Sequence, residues 1–100
     1  MIINKKLKAK NEVSDDAINS FSWDVYKKCN DKSVVIKCVQ WMKELTIKKP
    51  DYSNLDTYSC ILYKSGDKIE SKRFAILAIE TGKKNNKNAS SIERFLTTLQ

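Results

Sequence analysis

Hydrophobic positions along this chain form a helix-like stripe at each end and three apolar runs between them. Ser14 is an N-cap residue followed by Asp15 and Asp16, and from there Ile18, Phe21, Val25 and Cys29 recur at i, i+3, i+7 and i+11. That spacing is one face of a helix. The acids suit the positive end of the helix dipole, and Lys27 and Lys28 suit the negative end. The helix is therefore expected to stop near Cys29, with Asn30 and Asp31 in the turn. At the other end Ser90 and Glu93 have capping-box spacing, and Ile92, Phe95, Leu96 and Leu99 follow at i, i+3, i+4 and i+7. That pattern predicts a short amphipathic helix.

The middle reads differently. Residues 33–41 (SVVIKCVQW) are compatible with a helix, but their β-branched and aromatic side chains and the preceding turn favour a strand. Alternation puts Val35, Lys37, Val39 and Trp41 on one side of it and Val34, Ile36, Cys38 and Gln40 on the other. Both sides carry apolar residues, so one is expected to meet something besides water. Residues 42–56, with Lys43, Lys48, Lys49 and the single Pro50, read as a long polar loop. Residues 57–64 (TYSCILYK) and 68–81 (KIESKRFAILAIET) read as a hairpin joined by a tight turn at Ser65, Gly66 and Asp67. Gly82 ends that hairpin, residues 83–88 form a solvated basic linker, and residues 1–12 form a flexible basic arm. The expected fold is a single α+β domain over residues 1–100, ordered α-β-β-β-α, with no repeat. Its three-stranded antiparallel sheet carries two helices on one face and leaves the other face and the edges to a partner.

Charge narrows the class of partner. The 100 residues hold 19 Lys and Arg against 12 Asp and Glu, a formal charge of +7. A balance that basic suits an anionic ligand, because phosphate neutralisation drives nucleic-acid affinity. With no His and two Gly, neither His-based acid–base chemistry nor a Gly-rich phosphate loop is expected. Cys29, Cys38 and Cys60 form no C-x-x-C pair and read as reduced thiols of the cytosol or nucleus. Cys38 and Cys60 fit packing roles; Cys29, beside Lys27, Lys28 and Lys32, is the thiol whose setting would favour reactivity, and a thiol enzyme ranks a distant third among the readings. No apolar run approaches membrane-spanning length, and the first ten residues are too charged for a secretory segment. The expectation is a soluble, cytoplasmic, non-enzymatic domain with no cofactor and no metal.

The candidate RNA contacts are Lys37 in mid-strand, Lys43, Lys48 and Lys49 in the loop, and Lys64, Lys68, Lys72 and Arg73 around the hairpin. Lys5, Lys6, Lys8 and Lys10 of the arm and Lys83, Lys84 and Lys87 of the linker add to the charge. Tyr63 and Trp41 are placed to stack on bases or riboses, with ordinary packing as the competing role for both.

Three stretches carry a family resemblance. Residues 21–36 (FSWDVYKKCNDKSVVI), 58–69 (YSCILYKSGDKI) and 91–99 (SIERFLTTL) resemble the first helix, the second strand with its basic turn, and the closing helix of the Alu-domain proteins of the signal recognition particle. The chain is closest in kind to the fourteen-kilodalton subunit. The resemblance implies a non-catalytic RNA-binding subunit that pairs with a homologous nine-kilodalton subunit as a heterodimer, or as a homodimer in its absence. Such a pair forms a six-stranded sheet whose concave face grips the Alu domain of the particle's RNA. The particle acts on the ribosome to slow translation during co-translational protein targeting, with no membrane insertion by this subunit. The family's basic turn maps onto Lys64, Lys68, Lys72 and Arg73, and its basic loop onto Lys43, Lys48 and Lys49. Departures are Tyr63-Lys64 where the family often has arginine, and Gly66-Asp67 where Asp-Gly is usual. The alternative reading is a small cytosolic protein-interaction module, of immunity or adaptor type, with a basic binding face.

Overall fold

The computed structural model describes residues 14–99, so the basic arm expected over residues 1–12 lies outside the described residues. These residues form five α-helices: α1 (Asp15–Lys28), α2 (Lys32–Lys48), α3 (Tyr52–Ser65), α4 (Lys68–Lys84) and α5 (Ser90–Leu99). No strand occurs among the described residues, so the expected α+β sheet is replaced by an all-helical fold.

Each corrected element has a local cause. Residues 33–41 belong to α2 because Asp31 caps its start, its carboxylate accepting from the backbone N–H of Ser33 at 2.9 Å and of Val34 at 3.4 Å. Val35, Cys38, Met42 and Leu45 then fall on one buried stripe. A helical stripe sampled at period two deposits apolar residues on both sides, which is the two-sidedness seen in the alternation. Burial of that stripe outweighs the modest helix penalty of Val34, Val35 and Ile36. The expected loop at 42–56 is instead the last turns of α2, a break at Lys49 and Pro50, and the start of α3. Asp51 caps α3 by accepting from the Asn54 N–H at 2.9 Å. We expect Asp51→Ala to cost about 1 kcal/mol, read as a lower midpoint in urea with an unchanged slope.

Ser65, Gly66 and Asp67 do turn the chain, but between helices. Gly66 takes φ 101°, a left-handed conformation that glycine tolerates without a Cβ clash. Its N–H donates to the Tyr63 carbonyl and the Asp67 N–H to the Leu62 carbonyl, both at 3.0 Å. This is the Schellman arrangement of a helix end. Asp67 at once caps α4 through the Glu70 N–H at 3.1 Å. Gly82 does not end an element; it lies inside α4, where a Cβ would meet the Tyr52 ring at 2.9 Å. At α5 the cap is made by Asn88 rather than Ser90: the Ser90 N–H and hydroxyl donate to Asn88 Oδ1 at 3.0 and 2.7 Å.

The helices form two successive hairpins of matching size, 14 then 17 residues in each. The first residues of α1 and α3, Asp15 and Tyr52, are 37 apart, and those of α2 and α4, Lys32 and Lys68, are 36 apart. The chain therefore contains a repeat, contrary to the sequence expectation, and it is written in the residues. VYKKCNDK (25–32) and LYKSGDK (62–68) align with one residue deleted in the turn, which accounts for the change from 37 to 36. Tandem helical hairpins of this length are the unit of helical-repeat arrays.

Helix α3 joins the two hairpins. Between residues 54 and 62 only Asp56 is less than fully buried. One side of α3 enters a core with Val25, Val35, Cys38, Met42 and Leu45. The other packs with Ala75, Ala78, Ala89 and Ile92 of the second hairpin and its cover, α5. Ser22 and Ser59, which are 37 apart, are both completely buried, each at the same position in its repeat.

Candidate partner-binding groove

Helices α1 and α3 lie side by side, and a hydrogen-bonded network of short polar side chains ties them together. Asn19 donates through Nδ2 to Asn54 Oδ1 at 2.7 Å and to Ser53 Oγ at 3.1 Å. The Thr57 hydroxyl donates to Asn19 Oδ1 at 2.6 Å. Asn54 in turn donates to the Lys49 carbonyl at 3.0 Å, fixing the network to the turn before α3. These bonds leave Asn19 with its amide fully engaged, so it is a rigid part of the surface.

Beside this network a groove of about 510 Å³ is lined by Asn19, Ser20, Trp23 and Asp24 of α1 and Ser53, Asp56 and Thr57 of α3. Trp23 forms one wall, and its ring lies 5.4 Å from that of Tyr26. Phe95 of α5 extends the aromatic row, meeting Tyr26 at 6.4 Å and Tyr63 at 5.6 Å, both edge to face. Asp56 is half-buried, and desolvation pushes its carboxyl above the usual range despite the Cys60 thiol donating to it at 3.8 Å. Burial also drives the Cys60 thiol strongly upward, so it stays protonated and unreactive.

The opposite face of α3 floors a second, apolar groove between α2 and α4, of about 500 Å³. Leu55, Tyr58 and Leu62 form its base, and Ile47, Phe74 and Leu77 its sides.

The residues singled out for RNA contact are carried by α2, α3, α4 and the turn after α2. Lys37 is exposed on α2, and Lys68 and Lys72 are exposed on α4. Lys43 and Arg73 stand on opposite walls of the apolar groove. Arg73 is also paired with Glu70 at 3.2 Å, and its guanidinium sits 5.5 Å over the Phe74 ring. Lys48 and Lys49 both approach Asp15, at 3.2 and 3.4 Å, and their proximity holds its carboxyl below the usual range. The Lys64 ammonium donates to the Tyr26 carbonyl at 2.8 Å, tying α3 to the end of α1. Tyr26-Lys27 and Tyr63-Lys64, the same dipeptide in each repeat, line one shallow depression. Tyr63 packs on Phe95 and Trp41 on Phe21, the latter with centroids 6.1 Å apart. Lys5, Lys6, Lys8 and Lys10 lie outside the described residues.

Among the described residues no group of three His, Cys, Asp or Glu is arranged to hold a metal ion, and no helix is long and apolar enough to cross a membrane. The groove residues Asn19, Trp23, Asp24, Ser53, Asp56 and Thr57 were not legible as a site from sequence. Half of them fall in segments read as loop or strand. The signal that finds them is the repeated Tyr-Lys pair, which sets the 37-residue offset and brings α1 and α3 into register. Comparison with protein-family models, with curated proteins and with solved structures finds no match.

Proposed function

We propose that this chain is a non-catalytic interaction module whose α1–α3 groove receives an extended segment of a partner protein. The observation that carries the reading is the pairing of two matched helical hairpins around a groove whose Asn19-centred network holds its walls fixed. A pre-organised groove lowers the ordering cost of binding. Helical hairpin repeats are a surface-building architecture, in which each unit buries one face on its neighbours and offers another. The reading includes a reducing, cytoplasmic setting, supported by the three free thiols Cys29, Cys38 and Cys60.

The resemblance to the signal recognition particle subunit placed RNA on a sheet face, with Lys37 at the centre of a strand. The stretches that carried it over residues 21–36, 58–69 and 91–99 are helical turns here apart from short connections. The basic loop and basic turn it implied are here Lys43 and Lys48 of α2, Lys49 just after it, Lys64 of α3, and Lys68, Lys72 and Arg73 of α4. The groove thus favours a protein partner over an RNA.

The test is a random-peptide display selection on the full chain, followed by backbone resonance mapping of the selected peptides. Selected peptides are expected to shift Asn19, Trp23, Asp56 and Thr57, and Asn19→Ala is expected to weaken them at least about five-fold, in line with the loss of about 1 kcal/mol per hydrogen bond removed. A structured hairpin RNA is titrated in parallel. RNA that binds through Lys37, Lys43, Lys68 and Lys72, with affinity falling linearly in log salt, would replace the protein reading. Selected peptides that map away from α1 and α3 would also overturn it.

A further inference from the structure

We propose that the α1–α3 groove takes a lysine or arginine side chain of the partner segment, seated between the carboxylates of Asp24 and Asp56. The proposal rests on the interaction-module reading and specifies what that module recognises. Charge is the first argument. The charged residues lining the groove are two aspartates, in a chain whose net charge is +7. The local sign is opposite to that of the molecule, so the groove selects a cation that the rest of the surface repels.

Pairing is the second argument. Asp15, Glu70 and Glu93 each have an ion-pair partner. Asp24 and Asp56 have none among the described residues, although Lys27 and Lys28 lie one turn from Asp24 in sequence. Around Asp56 the titratable neighbours are Cys60 and Tyr52 of α3 and Tyr26 of α1, none of them cationic. A half-buried carboxylate without a counter-charge is a cost to folding that a bound cation removes.

The third argument is the inventory of open hydrogen-bonding atoms. Both donors of the Asn19 amide and its acceptor are already engaged. The groove leaves open the carboxylate oxygens of Asp24 and Asp56, which accept and cannot donate when ionised, beside the Ser20 hydroxyl and the Trp23 indole N–H. An ammonium or guanidinium supplies donors only, which suit those carboxylate oxygens. Trp23 adds an aromatic wall against which the aliphatic stem of a lysine or arginine can pack.

The probes are N-acetylated, C-amidated pentapeptides Gly-Ser-X-Ser-Gly with X as lysine, arginine, norleucine or glutamate, titrated into the full chain and followed by the Trp23 indole resonance. The lysine and arginine peptides are expected to give saturable shifts with at least ten-fold tighter binding than norleucine, and glutamate none. Asp24→Asn and Asp56→Asn are each expected to weaken the cationic peptides at least five-fold, whereas Asp16→Asn, on α1 outside the groove, leaves them unchanged. Asp56→Asn also keeps the fold interpretable, because its stability moves the other way. Burial raises the folded-state carboxyl of Asp56, so its ionised form opposes folding as pH rises above the ordinary carboxylate range. The amide removes that opposition, so the variant is expected to melt above the parent at pH 7, with the gain closing near pH 3 where the parent carboxyl is also neutral. Equal binding of the norleucine peptide, or of the cationic peptides to Asp56→Asn, overturns the cation site while leaving a groove-binding module in place. No saturable Trp23 shift with any probe overturns the cation site as well, and the display selection then decides the module reading on its own.

Discussion

Replacing Ser71 with leucine is expected to destabilise the fold by about 3–5 kcal/mol, a large share of the 5–15 kcal/mol typical of a domain. Ser59 of α3 and Ser71 of α4 are both completely buried where the two helices cross. Each hydroxyl donates to the other residue's carbonyl at 2.7 Å, and the two oxygens are 3.4 Å apart. The helices approach this closely because their contact is made of small residues: Ser59 faces Ser71, and Ala75, Ala78 and Gly82 continue the buried side of α4. A leucine would have to displace the α3 backbone, and overpacking of this kind costs about 1–3 kcal/mol. It also removes the Ser71 hydroxyl bond and obstructs its reciprocal, at about 1 kcal/mol each. Circular dichroism should show the melting midpoint lowered by roughly 15–30 °C. Ser71→Ala, which keeps the volume and loses the donor, should cost about 1 kcal/mol. Equal midpoints for the leucine variant and the parent would show that the crossing is not tight.

The second large effect belongs to the first core. Ile61 of α3 is fully buried, in a cluster with Met42, Leu45, Tyr58 and Val35. Ile61→Ala removes side-chain volume from a site closed by α1 and α2, and core truncations of this type cost about 2–5 kcal/mol. Because α3 also forms the second core, the loss should appear in both hairpins together. Urea unfolding followed by tryptophan fluorescence, which reports α1 and α2, and by far-ultraviolet dichroism, which reports all helices, should shift to one lower midpoint. Two separated transitions would mean that the hairpins fold independently.

The terminal helices were legible because each presents one apolar stripe and keeps its other sides in water. Helix α1 and helix α5 therefore show the 3.6-residue period that identifies a helix. Helix α3 does not, since it is buried nearly all round, and a continuous apolar run such as CILY reads equally as a buried strand. In α2 the Val-Val-Ile run favoured a strand by local preference, and tertiary burial of Val35, Cys38, Met42 and Leu45 overrode it. In α4 the small residues Ser71, Ala75, Ala78 and Gly82 mark the buried side, which a search for large hydrophobic residues passes over. The site was hidden for a related reason. Asp56 reads from the sequence as part of a polar loop, and only the helices place it on one groove with Trp23. Tyr63 and Lys64, singled out as RNA contacts, pack on Phe95 and bond the Tyr26 carbonyl respectively.

The order of helix contacts has a consequence for how the chain reaches this state. The main packing pairs are α1 with α2 and α3, α2 with α3, α3 with α4, and α4 with α5. No principal contact spans more than one intervening helix, so loops closed during folding are short and the entropy lost before each contact forms is small. Assembly should be fast and should start where the tightest crossing lies, between α3 and α4. Helix α5 packs mainly on α4 and reaches α1 and α3 chiefly through Phe95, so amide exchange by local opening should begin there.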